Sequence, residues 1–103
     1  MYLSLDQSTS STTIFLYNKK CKLISKLSKS HKQIHKSQGH VEHDANEIMK
    51  NIFFLVKKIS KKIKYDKDLF LSITNQRETF VIFDKKSGEP LHNAIVWQCR
   101  RGQ

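Results

Sequence analysis

The residues best equipped for chemistry lie together in Ile73-Thr74-Asn75-Gln76-Arg77-Glu78-Thr79. All but the first carry hydrogen-bonding side chains, spanning hydroxyl, amide, guanidinium and carboxylate groups. A guanidinium only donates and a carboxylate only accepts, so adjacent Arg77 and Glu78 suit a ligand bearing several hydroxyls. Apolar runs flank the stretch, Leu69-Phe70-Leu71-Ser72-Ile73 before it and Phe80-Val81-Ile82-Phe83 after it, with no Gly or Pro between. This pattern reads as a strand tip that delivers polar groups to a pocket. The alternative is a solvated loop between two strands.

A second group of candidates opens the chain. Tyr2-Leu3-Ser4-Leu5-Asp6 alternates like a half-buried strand and ends in a carboxylate, followed by Gln7 and an unbroken hydroxyl run from Ser8 to Thr13. Hydroxyls and backbone N–H groups donate to phosphate oxygens, and an aspartate at a strand end can hold Mg²⁺ directly or through water. This is not a P-loop: G-x-x-x-x-G-K-[ST] is absent, and the only glycines are Gly39, Gly88 and Gly102. The same run also fits an ordinary Ser/Thr-rich hairpin turn. His31, His35, His40 and His43 fall in a polar stretch from Ser30 to His43. With no cysteine nearby and no helical H-E-x-x-H, they read as loop histidines rather than metal ligands.

Regular elements must hold these groups. Ile14-Phe15-Leu16-Tyr17 resumes a strand, Asn18-Lys19-Lys20 turns the chain, and a third strand runs from Cys21 to Lys29 with Cys21, Leu23, Ser25 and Leu27 on one face. Together these predict an antiparallel meander. Asp44 opens a helix, with Asp44 and Glu47 at capping-box spacing. Ile48, Ile52, Leu55, Ile59 and Ile63 form one apolar stripe on it, and lysines gather near its C-terminal end, where they complement the helix dipole. Tyr65-Asp66-Lys67-Asp68 links to a strand Leu69–Thr74, and Thr79–Phe83 reads as the next strand. Asp84 to Pro90 is a turn, and His92 to Trp97 is a last apolar segment. No closing element follows Trp97, which reads as an interrupted domain.

Composition bounds the function. A chain of 103 residues allows one small domain at most. Its formal charge of +10 invites a nucleic-acid reading. Yet of 19 basic residues only Arg77, Arg100 and Arg101 are arginines, and no RNP motif, Cys/His finger or recognition helix is present. Cys21 and Cys99 stand far apart, as expected of reduced cytoplasmic thiols. Asp6 and the hydroxyl run occupy the place where a signal peptide needs its apolar region. The longest apolar run, Ile52 to Val56, is far too short to span a bilayer. The expectation is a cytoplasmic protein with neither nucleic-acid nor membrane partners.

Four motifs then carry a resemblance: Asp6-Gln7-x-Thr9, Val41-Glu42-His43-Asp44, the Ile73–Thr79 stretch, and Asn93-Ala94-Ile95-Val96-Trp97-Gln98-Cys99-Arg100-Arg101. In order and spacing they resemble the N-terminal segment of the glycerol kinases, within the FGGY group of carbohydrate kinases. The resemblance implies an α/β fold of the actin-like, ribonuclease-H-like ATPase type. Residues 1–103 would form a truncated N-terminal portion of the first kinase domain, with the second domain absent. It implies transfer of the γ-phosphoryl group of ATP to a primary hydroxyl of glycerol, giving sn-glycerol 3-phosphate, with ATP and Mg²⁺ required and a homo-oligomeric parent left open.

On that resemblance Arg77, Glu78 and Trp97 hold glycerol, Trp97 covering its carbon backbone. Thr9, Ser10 and Ser11 sit in the phosphate turn, and Asp6 lies near Mg²⁺ and the phosphates. Thr13 takes a phosphate-side position where the family has an arginine. Ser8 stands in place of a glycine, His40 of a tryptophan and Ala45 of a proline. No residue matches the family's aspartate base, so no catalytic residue is assigned and the 103 residues alone are expected to be inactive. The alternatives are another sugar or polyol kinase of the group, or a non-catalytic remnant of such a kinase gene.

Overall fold

A run of alternating residues gives each of the first two strands one apolar face. In β1 (Tyr2–Gln7), Leu3, Leu5 and Gln7 are buried, and in β2 (Ser11–Tyr17), Thr12, Ile14 and Leu16 are buried. The computed structural model describes residues 1–63 and 68–103. These contain, after β1 and β2, strands β3 (Leu23–Ser30) and β4 (Glu42–His43), helix α1 (Ala45–Ser60), and strands β5 (Phe70–Asn75) and β6 (Ala94–Ile95). The meander β1-β2-β3 is antiparallel, as expected, and β5 adds to β1 in parallel, giving the sheet order β3-β2-β1-β5. Glu42 and His43 of β4 pair with Ile95 and Ala94 of β6 in a separate two-stranded ladder.

Helix α1 covers one face of the sheet. Leu55 and Ile59 pack with Leu3, Leu5, Ile14 and Leu16, while Ile52 and Ile63 flank that core. Full burial contributes about 1.5–3 kcal/mol per large aliphatic side chain, so this stripe, rather than helix propensity, holds α1 in place. Asp44 caps the helix, its side chain accepting from the N–H groups of Asn46 at 2.9 Å and Glu47 at 3.3 Å. The reciprocal half of a capping box is not made, because the Glu47 carboxylate instead accepts from the Lys32 N–H at 3.3 Å. Asn51, buried beside the stripe, donates to the Ser30 carbonyl at 3.0 Å and ties α1 to the end of β3.

Three expectations need correction. Only Ser8, Thr9 and Ser10 of the hydroxyl run lie outside a strand; within β2, Thr12 and Thr13 pair with both β1 and β3, and Ser11 pairs with Ser30 of β3. Strand β3 starts at Leu23, not Cys21, because the Asn18 side chain gathers the N–H groups of Lys20 and Lys22 into a turn in which Cys21 adopts φ 58°. Thr79–Phe83 does not form a strand. Phe80 bridges to Ile95 and Phe83 to Pro90, whose nitrogen lacks the hydrogen a longer ladder requires. The expected link Tyr65 to Asp68 lies, apart from Asp68, outside the described residues.

Parallel pairing of β1 with β5 has the consequence that matters for function. Asp6 and Gln7 lie opposite Thr74 and Asn75, so both strands deliver their carboxyl ends to the same edge of the sheet. The hydroxyl turn and the Gln76-Arg77-Glu78 stretch emerge there side by side. Open α/β sheets bind ligands at this end.

Candidate functional site

Between β1 and β2 the chain turns sharply. The Ser8 N–H donates to the Ser11 carbonyl at 2.8 Å, and the Ser8 hydroxyl donates to Asp6 Oδ1 at 2.9 Å. Ser8 thus makes a bond that glycine could not. It also avoids the left-handed region, which among described non-glycine residues is entered only by Cys21 and Glu78. The N–H groups of Thr9 and Ser10 meet no acceptor among the described residues. Asp6 and Thr13 are direct partners across β1 and β2, so their side chains share the face of the sheet away from α1. Thr13 Oγ1 lies 2.9 Å from Ser28 Oγ on the next strand.

Beyond β5, Glu78 holds φ 59°, a conformation that costs a residue with a Cβ about 1–2 kcal/mol. Arg77 and Glu78 are exposed and join no ion pair among the described residues, leaving a donor-only and an acceptor-only side chain available. Trp97 closes the arrangement from the far end of the sequence. Its indole N–H donates to Thr9 Oγ1 at 3.0 Å, and its backbone N–H donates to Thr79 Oγ1 at 3.3 Å. Thr9, Gln76, Arg77, Glu78 and Trp97 line an open cleft of about 340 Å³. One residue expected on the phosphate side, Thr9, therefore shares a cleft with all three expected on the polyol side. Asp6, Ser10, Ser11 and Thr13 do not line it. They belong to the adjoining turn and the strands on either side of it.

Sequence reasoning missed what stands behind this cleft. His43, read as a loop histidine, is fully buried on β4, and His31 is buried against it with ring centroids 4.5 Å apart. Hydrogen bonds fix the His43 tautomer. Gln33 Nε2 donates to the Thr9 carbonyl at 2.8 Å, so Gln33 Oε1, 2.6 Å from His43 Nε2, must accept. Similarly, Gln7 Nε2 donates to the Ser8 carbonyl at 2.8 Å, which leaves Gln7 Oε1 to accept from Gln76 Nε2 at 3.2 Å. The same Gln76 nitrogen donates to His43 Nδ1 at 3.2 Å, and Gln76 Oε1 accepts from the Thr79 hydroxyl at 3.0 Å. His43 is thus a neutral imidazole protonated at Nε2. Its pKa is lowered from an ordinary 6.5 to about 4, chiefly by desolvation and further by His31.

Next to it, Glu42 is a buried carboxylate. Asn93 Nδ2 at 3.0 Å and Arg101 Nη2 at 2.8 Å donate to it, with Lys36 Nζ at 3.4 Å. These bonds, that from Asn93 foremost, lower its pKa from 4.5 to about 2. Glu42 thereby ties β4 to the segment that carries Trp97. The available signal was the placement of Glu42 and His43 immediately before a helix cap, together with glutamines at 7, 33 and 76.

Comparison with known proteins agrees with this geometry. The model of the FGGY family of carbohydrate kinases, N-terminal domain, matches residues 1–103. Glycerol kinase 1 of Thermotoga maritima is 42% identical over 102 residues, covering 97% of this chain and 21% of that protein. The glycerol kinase of Corynebacterium glutamicum is 45% identical over 100 residues, covering 95% of this chain and 20% of its own length. The chain therefore spans about a fifth of the curated relatives it matches. Among solved structures, Plasmodium falciparum glycerol kinase with ADP superposes with a TM-score of 0.84 at 38% identity, covering 97% of this chain and 21% of that one. A gluconate kinase from Lactobacillus acidophilus reaches 0.85 at 22% identity, covering 95% of this chain and 20% of its own, and shares the fold. By that superposition the fold is that of the actin-like kinases, and the chain belongs to the FGGY family of carbohydrate kinases, within its N-terminal domain.

Proposed function

We propose that the protein bearing these residues is a glycerol kinase, transferring the γ-phosphoryl group of ATP to a primary hydroxyl of glycerol. The observation that carries this reading is the cleft in which Thr9, Arg77, Glu78 and Trp97 converge. Arg77 donates to hydroxyl oxygens, Glu78 accepts hydroxyl protons, and the Trp97 indole covers the carbon chain while its N–H stays tied to Thr9. A polyol held there abuts the turn whose Thr9 and Ser10 N–H groups are open to phosphate oxygens. Such transfers are catalysed mainly by positioning and charge neutralisation, so abutting donor and acceptor sites are what the reaction needs.

The phosphate side is consistent in its donor set. Asp6 accepts from Ser8 through Oδ1 and keeps its second oxygen for a hard cation, and Mg²⁺ characteristically takes one or two carboxylates together with phosphates and water. Bound Mg²⁺ would supply charge neutralisation on the phosphates. Thr9, Ser10 and Ser11 supply hydroxyls around it. Thr13 brings no charge, so neutralisation falls more heavily on the cation than in kinases with an arginine there.

The 103 residues form part of the first kinase domain in this reading, with further polypeptide covering β5, whose residues are all exposed. They do not turn over by themselves. Glu78 is the one carboxylate among the described residues that line the cleft and is engaged with substrate hydroxyls, so in this reading further polypeptide supplies the general base. Incubating the 103-residue chain with ATP, Mg²⁺ and glycerol is expected to give no glycerol 3-phosphate, whereas the native protein from its source gives it readily. Product from the short chain, or preference of the native protein for gluconate or xylulose, would overturn the reading.

A further inference from the structure

We propose that His43 is a positioning residue which, as a neutral imidazole, locks the hydroxyl turn and the Arg77–Glu78 stretch at one fixed separation. This inference rests on the kinase reading for its functional consequence, although its geometry stands independently. His43 does not line the cleft itself and reaches it only through Gln76. It sits at the centre of a closed chain of hydrogen bonds: the Thr9 carbonyl, Gln33, His43, Gln76, Gln7 and the Ser8 carbonyl. Both ends of that chain are backbone carbonyls of the turn, and carbonyls can only accept. The donor direction of every link is therefore set, and the ring closes only if His43 donates from Nε2 and accepts at Nδ1.

A branch leaves this ring on the other side. Gln76 accepts from Thr79, Thr79 Oγ1 receives the Trp97 N–H, and the Trp97 indole returns to Thr9 Oγ1. Beyond the β1–β5 ladder and the direct Gln76–Gln7 bond, phosphate turn and polyol strand are thus also joined behind the cleft through His43 and across its mouth through Trp97. Gln76 belongs to both connections and immediately precedes Arg77. A rigid pair of subsites matters for transfer more than for holding either ligand, because reaction requires the two reacting atoms to meet in line.

Hydrogen exchange on the native protein, resolved residue by residue, tests the geometry without any assay of activity. Trp97 is the one tryptophan among these 103 residues, and its indole N–H is assigned as the signal lost in Trp97→Phe. In His43→Leu, and in Gln33→Ala, which cuts the same ring from an exposed position, exchange of that indole and of the Thr9 and Ser10 amides is expected to rise about tenfold. The amides of Ile14 and Leu16 in the core should stay unchanged. His43→Gln, whose amide can both donate to Gln33 and accept from Gln76, should restore exchange to within about threefold of the original. Unchanged indole exchange in Gln33→Ala would overturn the proposal, and so would equal acceleration at every amide.

Kinetics of the native protein then test the consequence. Gln33→Ala is expected to lower kcat about tenfold per folded molecule, with KM for ATP and for glycerol each within about threefold. A raised KM with unaltered kcat would contradict the role assigned to His43. If the unsubstituted protein transfers no phosphoryl group, the kinase reading fails, and the exchange data still decide whether the lock exists.

Discussion

Glu78 is the residue at which function and stability pull apart. Its φ of 59° is costly for a side chain with a Cβ and natural for glycine, yet its carboxylate faces the cleft. Glu78→Gly is expected to raise the stability of the chain by about 1 kcal/mol in urea unfolding while abolishing polyol binding. Arg77→Ala, which removes a charged donor, should raise KM for glycerol by about tenfold to a hundredfold in the native protein and change KM for ATP far less. Equal effects on both substrates would mean that Arg77 does not face the polyol. That these two residues line a cleft was legible from an Arg-Glu pair set between apolar runs. The left-handed backbone beneath Glu78 was not legible, since nothing about a glutamate announces it.

At the scale of elements, the two-residue strand β4 carries more than its length suggests. It holds Glu42 and His43, both buried, and both with pKa values lowered by the fold. A group whose folded pKa lies below its unfolded value contributes stability above the unfolded value and loses it as pH falls through the folded one. His43 therefore predicts falling stability from pH 6.5 down to about 4, where the unfolded chain takes up a proton that the fold refuses. Glu42 predicts a further loss from pH 4.5 down to about 2, as the carboxylate that binds Asn93 and Arg101 is neutralised. Urea midpoints measured against pH should show both windows, and Glu42→Gln should abolish the lower one while lowering the midpoint at neutral pH. At the other end of β4, Asp44→Ala removes the cap of α1 and should cost about 1 kcal/mol in the same measurement.

The first three strands and α1 were readable because their periodicity is local: alternation in β1 and β2, and a spacing of three and four along Ile52, Leu55 and Ile59. Strands β4 and β6 were not, because two residues carry no period and their pairing spans half the chain. Phe80 to Phe83 misled for the converse reason. The run has the composition of a strand, but a strand needs a partner, and Asp84 folds the following residues into a turn by accepting from the Lys86 and Ser87 N–H groups.

For the whole molecule, the distribution of apolar surface is the informative feature. Phe70, Leu71 and Ile73 of β5, Phe53 and Met49 of α1, and Phe80, Ile82 and Phe83 are all more than two-fifths exposed. So large an apolar surface is rare on a self-contained domain and supports the proposal that further polypeptide covers it. The sixteen-residue α1 is the one helix among the described residues, and no helix there is long and apolar enough to cross a membrane. Some of the lysines that raise the net charge have partners within the fold. Lys29 and Lys58 lie over the Phe54 ring, and Lys62 donates to Ser25.

Measuring glycerol 3-phosphate formed by the native protein from ATP, Mg²⁺ and glycerol, in competition with xylulose and gluconate, tests the central claim most directly. The account predicts glycerol 3-phosphate as the dominant product, lost when Arg77 is replaced by alanine. Dominant phosphorylation of either competitor, or no transfer to glycerol at all, would contradict it.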